Sequence, residues 1–190
     1  MIDSKVELVL GSSSPRRQEL LKLITKNFTI RTANTDETYN STTPSEIVQE
    51  ISYKKSKNIE ISDRELLITA DTIVTLDGKI FGKPHNYDEA FEMLQTLSNK
   101  THCVYTGVTL RSMEKFSSFY EVSKVTFYKL DEEVIDFYIK NNNVYDKAGA
   151  YAIQDFAAVF VKKIEGDYYN IMGLPIAKLY WQLRHLLATS

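Results

Sequence analysis

The chain has 190 residues, long enough for one substantial core, and carries 23 Lys and Arg against 25 Asp and Glu. That balance argues against a basic nucleic-acid binder and makes any affinity for phosphate a local matter. A single cysteine, Cys103, can form no internal disulfide and offers no zinc-ligand spacing, which favours a reducing compartment, by default the cytoplasm.

Met1 to Lys5 is charged and precedes only a short apolar run, so neither a secretory leader nor a membrane span is expected. Val6 to Leu10 reads as a short strand. After Gly11-Ser12-Ser13-Ser14, Pro15 opens a helix whose apolar side carries Leu20, Leu21, Leu23 and Ile24, with Ser14 at the N-cap. A helix N-terminus presents unpaired N–H groups and partial positive charge, and Arg16 and Arg17 add planar donor forks. The segment is thus either a polyphosphate grip or an ordinary capped surface helix with two solvated arginines. Phe28 to Arg31 predicts a second strand and Thr32 to Ser45 one long polar loop. Thr43-Pro44-Ser45-Glu46 starts a helix through Ile47, Val48 and Ile51 to about Glu60.

Leu66 to Leu76 is a β-branched run ending at the turn dipeptide Asp77-Gly78. Asn86 and Glu89 form a capping box for a helix through Ala90, Leu94 and Leu97, closed near Asn99. Val104 to Leu110 and Phe119 to Phe127 read as a hairpin around Ser112-Met113-Glu114. Asp131 begins a short helix to about Lys140, Asn141-Asn142-Asn143 is a loop, and Ala157 to Ile164 reads as a strand ending at Gly166-Asp167. Pro175 opens a terminal helix to about Leu187. Interleaved helices and strands make the chain α/β with a mixed sheet.

Several residues could carry chemistry. Asp71 places a carboxylate inside a strand otherwise fit for burial, which is costly unless a cation, metal or donors compensate it. It is a metal ligand or general base, or else a structural Asp satisfied by nearby backbone. Lys83 sits in the corner Phe81-Gly82-Lys83-Pro84, from which its ammonium could return to the same mouth, or is a plain turn residue. Asp36-Glu37 in the polar loop is solvated unless polyphosphate chemistry needs a divalent ion there. In Asp146-Lys147-Ala148-Gly149-Ala150-Tyr151-Ala152-Ile153-Gln154, the Gln154 amide can pair with a donor and an acceptor on a base edge, or is an ordinary polar residue. Gly173-Leu174-Pro175 is an architectural signal. His85, His102 and His185 are scattered without partners, and neither a P-loop nor a dinucleotide fingerprint occurs. Tyr120, Phe127, Tyr128, Phe137 and Tyr138 fall where core and sheet surface are expected.

In order and over nearly the whole chain, these segments resemble the Maf family of nucleoside triphosphate pyrophosphatases. The resemblance rests on Ser12-Ser13-Ser14-Pro15-Arg16-Arg17-Gln18-Glu19-Leu20-Leu21, Ala70-Asp71-Thr72-Ile73-Val74, Gly82-Lys83-Pro84, His102-Cys103-Val104-Tyr105-Thr106-Gly107-Val108 and Gly173-Leu174-Pro175. The Asp146 to Gln154 segment is similar to the branch hydrolysing dTTP and UTP rather than 7-methyl-GTP. The resemblance implies a single domain over residues 1–190: an elongated mixed sheet flanked by helices, in two lobes with a central cleft, similar to the inosine triphosphate pyrophosphatase architecture. It makes Asp71 the proton acceptor, gives Arg16, Thr72 and Gln154 substrate preference, and gives Ser12, Arg17 and Lys83 the triphosphate. Lys55 falls where the family has a Lys-Ala pair, here Lys55-Ser56, and joins the triphosphate ligands, although either Lys54 or Lys55 could face inward. Glu37, with Asp71, would hold a divalent cation, Mg²⁺ or Mn²⁺.

The reaction implied is hydrolysis of a pyrimidine nucleoside triphosphate to monophosphate and pyrophosphate, as nucleotide-pool housekeeping. Alternatives are a 7-methyl-GTP or inosine triphosphate preference, or a non-catalytic nucleotide sensor acting in cell division. The partner expected is the nucleotide itself, with no nucleic acid and no membrane; a homodimer stays open. Other places also depart from the family pattern. Gly11 replaces the usual Ala, which should only loosen the turn; Asn99 replaces a frequent Gly; and Asp155-Phe156 follow Gln154 where Gly-containing sequence is usual.

Overall fold

The structure, a computed structural model, describes residues 6–188. The Met1 to Lys5 segment, for which neither a leader nor a span is expected, lies outside the described residues. Seven strands form one mixed sheet: β1 (Glu7–Leu10), β2 (Phe28–Ile30), β3 (Glu65–Leu76), β4 (Lys79–Phe81), β5 (Thr101–Arg111), β6 (Phe116–Phe127) and β7 (Val161–Glu165). Their order is β2-β1-β3-β5-β6-β7, with β4 pairing β3. Strand β1 runs parallel to both β2 and β3, whereas β4 is antiparallel to β3 and β7 antiparallel to β6. The helices are α1 (Pro15–Lys22), α2 (Pro44–Lys57), α3 (Tyr87–Leu97), α4 (Glu132–Asn141), α5 (Tyr168–Met172) and α6 (Ile176–Ala188). None among the described residues is long and apolar enough to cross a membrane.

The chain forms two compact units. The first gathers the described part of Met1–Asp71, Thr106–Glu121 and the described part of Gly173–Ser190; the second gathers Thr72–Tyr105 and Val122–Met172. In the first unit the strand β1 buries Leu8, Val9 and Leu10, and α2 buries Ile47, Val48 and Ile51 on one helical stripe. Helix α2 is also fastened by polar side chains. Thr69 Oγ1 donates to the Ser52 carbonyl at 2.7 Å, Ser52 Oγ meets Thr109 Oγ1 at 2.9 Å, and Arg111 Nη2 donates to the carbonyls of Ser56 and Ile59. The helix ends at Lys57 rather than near Glu60, and Arg111 binds the Ser56 carbonyl of its last turn and the Ile59 carbonyl just beyond it. Helix α2 lies so close to β5 that a Cβ on Gly107 would stand 2.4 Å from the Val48 carbonyl carbon and oxygen. Gly11 is likewise packed: a Cβ there would meet Thr69 Cγ2 at 2.5 Å and Ile59 Cδ1 at 2.8 Å, so the absent methyl closes the end of β1 onto β3 instead of merely loosening a turn.

The second unit has an aromatic core built from Phe81, Phe127, Tyr138, Tyr151 and Phe160 together with Leu94, Leu97, Val125 and Ile135. Its α3 carries the expected capping box in part: Asn86 Oδ1 accepts the Glu89 N–H at 2.9 Å, and Glu89 reaches back to the His85 N–H at 2.8 Å. Asn99 takes up the left-handed conformation that its side chain tolerates, with φ 57°. Two short elements, β4 and α5, are added to the expected set. Residues 157–160 are not strand. Phe156–Phe160 is a 3₁₀ turn, because the Asp155 carboxylate accepts the Ala157 N–H at 3.0 Å and the Asp155 carbonyl accepts from Ala158, after which β7 begins at Val161. Ala157 and Phe160 are the buried pair there, a spacing of three that suits the turn rather than a pleat.

Candidate active site

Within the first unit β1 delivers the chain to Ser12 and α1 projects Arg16 and Arg17 from its first turn. Ser14 occupies the N-cap position with its side chain unused as a cap; instead its N–H donates to Ser12 Oγ at 3.3 Å. Ser12 is buried, and Arg17 Nη1 donates to its hydroxyl at 3.4 Å. Arg17 Nε donates to the Gly173 carbonyl at 2.8 Å. Two motifs separated by more than a hundred and fifty residues are therefore tied by one guanidinium, and Gly173, an architectural signal in the sequence, helps fix it. Burial pulls the Arg17 pKa below the ordinary arginine value; Asp71 opposes this, Arg16 adds to it and Glu37 opposes it. The group remains a cation at neutral pH.

Asp71, in β3, belongs to the first unit and is 7% exposed. Lys55, in the last turn of α2, puts Nζ 2.6 Å from Asp71 Oδ1 and 2.8 Å from Glu37 Oε1. Lys54 turns the other way, donating to the Thr38 carbonyl at 2.7 Å and pairing with Glu50 at 2.9 Å. Of the two adjacent lysines, Lys55 is thus the one that meets Asp71. The loop bearing Glu37 is anchored by Glu50, whose carboxylate accepts from the N–H groups of Asn40 and Ser41 and from Ser41 Oγ at 2.7 Å. Those donors, Ser41 first and then Lys54, hold the Glu50 pKa down to about 2. Glu50 belongs to none of the sequence motifs, although its i,i+4 spacing from Lys54 is a readable signal.

Ser12, Arg17, Lys55, Asp71 and Glu37 are thus linked through short contacts or charge in one unit, with Arg16 near enough to Arg17 to depress its pKa. Two carboxylate oxygens converge on one cationic nitrogen, which is the donor chemistry a hard divalent ion accepts. Among the described residues no group of three or more His, Cys, Asp and Glu is placed to hold a metal ion. A cation held by Glu37 and Asp71 would accordingly draw its remaining oxygens from substrate or water.

Thr72, Lys83 and Gln154 belong to the second unit. Thr72 is half-buried, whereas Lys83 and Gln154 are exposed. The Gly149 N–H donates to the Gly82 carbonyl at 3.0 Å, so the Gly82-Lys83-Pro84 corner is joined to the Asp146 to Gln154 segment. Lys147, beside it, is neutralised by Asp146 at 2.7 Å. Behind this segment Tyr151 Oη meets His102 Nε2 at 2.7 Å among Phe127 and neighbouring rings. Burial lowers the His102 pKa to about 4 and raises that of Tyr151, so both are neutral at physiological pH.

Comparison with known proteins gives a consistent result. A family profile described as Maf-like protein matches residues 7–186. A dTTP/UTP pyrophosphatase of Bacillus cereus is 46% identical over 180 residues, 94% of each chain. One of Carboxydothermus hydrogenoformans is 47% identical over 94% of this chain and 98% of its own, and one of Thermosipho africanus is 44% identical over 92% and 91%. Among solved structures, a HAM1 protein from Coxiella burnetii superposes with a TM-score of 0.52 at 13% identity, covering 95% of this chain and 99% of the other, a likeness of fold.

Proposed function

The chain belongs to the Maf family, and we propose that it hydrolyses dTTP and UTP to the nucleoside monophosphate and pyrophosphate. The observation that carries the reading is the convergence of Glu37 and the buried carboxylate of Asp71 on the Lys55 ammonium, in a chain 44–47% identical to dTTP/UTP pyrophosphatases over more than nine-tenths of its length. A protein that only held triphosphate would gain nothing from an acidic group buried at the grip, since like charges repel most strongly away from water.

In this reading Asp71 Oδ2 or Oδ1 accepts the proton of a water molecule as its oxygen attacks the α-phosphorus. The bond from that phosphorus to the bridging oxygen of the β-phosphate breaks, and pyrophosphate leaves with the bond electrons. Arg17, fixed by Gly173 and Ser12, receives phosphate oxygens on its guanidinium fork. Lys55, released from one carboxylate, offsets the charge that accumulates on the leaving oxygens. Arg16, Thr72 and Gln154 set the choice of base, and Lys83 adds cationic charge for the triphosphate. Glu37 and Asp71 would hold a divalent cation, Mg²⁺ or Mn²⁺, which when bound supplies Lewis-acid neutralisation of phosphate oxygens. A pool-cleansing role in a reducing cytoplasm fits the lone cysteine and this chemistry.

The test is a nucleotide panel with Mg²⁺ or Mn²⁺, read as pyrophosphate rather than phosphate released. Turnover of dTTP and UTP, abolished in Asp71→Asn, is the expected result; a wild type inert toward both, or an Asp71→Asn variant of unchanged rate, overturns it.

A further inference from the structure

The backbone around Gln154 is held by a device that lies wholly in the second unit. Residues 152–155 form a tight turn in which the Asp155 N–H donates to the Ala152 carbonyl at 3.3 Å, and Gln154 is exposed at its apex. Both ends of that turn are bound to one atom. Tyr138 Oη, from α4, accepts the Ala152 N–H at 3.2 Å and donates its own proton to the Asp155 carboxylate, 3.1 and 3.2 Å from the two oxygens. Asp155 Oδ1 also accepts the Ala157 N–H at 3.0 Å, so the carboxylate fixes the turn to the 3₁₀ segment that follows. The Tyr138 ring itself is closely packed: it is fully buried, stacked 6.3 Å from Phe156 and edge-on 5.1 Å from Phe160.

A hydroxyl on a buried, closely packed ring is a firm reference point, and a turn bound to it at two places has few conformations left to lose on binding. We propose that Tyr138 and Asp155 are positioning residues for base selection: the pair holds the 152–155 turn so that the Gln154 amide is presented in one orientation. The pair rests on the pyrimidine triphosphate pyrophosphatase reading for its biological meaning. Its effect falls on substrate affinity and on discrimination between bases, because the side chain the pair orients, Gln154, is the one read as meeting the base.

The experiment is steady-state kinetics of full-length wild type, Tyr138→Phe, Asp155→Ala and Asp155→Asn on dTTP, UTP, dCTP and dGTP, with thermal unfolding of each variant alongside. Tyr138→Phe keeps the ring and removes only the hydroxyl; it should raise KM for dTTP and UTP about tenfold, leave kcat within about twofold, and narrow the preference for these substrates over dCTP and dGTP. Asp155→Ala should reproduce that pattern, the double variant Tyr138→Phe/Asp155→Ala should be no worse than either single one, and Asp155→Asn, which retains an acceptor oxygen, should restore most of the selectivity. If Tyr138→Phe proves unstable, the contrast between Asp155→Ala and Asp155→Asn decides the same question. Unchanged KM and base preference in folded variants, with wild type active on dTTP, overturns the positioning role alone. A wild type inert on dTTP and UTP overturns the proposed function and the base-selecting role together.

Discussion

Lys55 Nζ stands 2.6 Å from Asp71 Oδ1 and 2.8 Å from Glu37 Oε1, so a single ammonium neutralises two carboxylates contributed by a strand and a loop. With Lys55 removed, Asp71 keeps its burial and loses its neutralising partner. Lys55→Met should lose about 3 kcal/mol of stability, with the double variant Lys55→Met/Asp71→Asn recovering part of it, as read from urea midpoints. In kinetics, Asp71→Asn should lower kcat by about a thousandfold or more with little change in KM, the pattern of a group needed in the transition state.

Arg17 carries a second expectation, because its fork is engaged in directions a lysine cannot reproduce. Nε points to Gly173 and Nη1 to Ser12, which together fix the plane in which the guanidinium meets a phosphate. Arg17→Lys retains the charge and loses that fixed plane, so KM for the triphosphate should rise about tenfold, and inorganic pyrophosphate should weaken as a competitive inhibitor by a similar factor.

The loop that brings Glu37 to Lys55 depends on Glu50. Its pKa is depressed to about 2 by the donors of Ser41, Lys54 and Asn40, so the anchoring is fully present above the ordinary carboxylate value of 4.5 and is lost as pH falls toward 2. At neutral pH, Glu50→Ala should expose residues 36–41 to limited proteolysis while wild type resists; equal cleavage rates would show that the loop is held by other means.

His102 governs a different pH window. It is buried as the neutral imidazole with its pKa lowered from 6.5 to about 4, so between those values the unfolded chain binds a proton that the fold does not. Stability should therefore decline as pH drops from about 6.5 to 4, by about 3 kcal/mol from the shift. His102→Gln should flatten that slope of urea midpoint against pH. Glu65, bound by Arg31 and the Ser62 N–H and held to about 2, acts like Glu50 only below 4.5, so the slope between about 6.5 and 4.5 is the part that reports His102.

Features set by neighbours in sequence are legible without the fold. The Asn86 and Glu89 capping box, the β3 run with its lone carboxylate at 71 and the turn at Asp77-Gly78 all appear where local chemistry requires them. Strand β4 follows the same turn dipeptide and could have been read from it. What is not legible depends on residues far along the chain. Lys54 and Lys55 are indistinguishable by type and spacing, and only the rotation of α2 fixed by Ser52, Thr69 and Arg111 separates their directions. The 3₁₀ turn at 156–160 has strand-like composition, and the Asp155 carboxylate overrides it. Tyr138 is one aromatic among several in the sequence, and only the fold gives its hydroxyl partners on both sides of Gln154.

Gly107 illustrates how a position without chemistry can imitate one with it. Because a methyl group there would strike the main chain of α2 at Val48, any replacement must push back the helix that carries Lys55 and Glu50. A survey of random variants scored by turnover alone would rank residue 107 beside residue 71 as intolerant. The two diverge only when soluble yield is recorded as well: substitutions at 71 should leave a folded, silent protein, whereas those at 107 should deplete the folded pool itself, so tolerance maps of this enzyme have to be read along two axes.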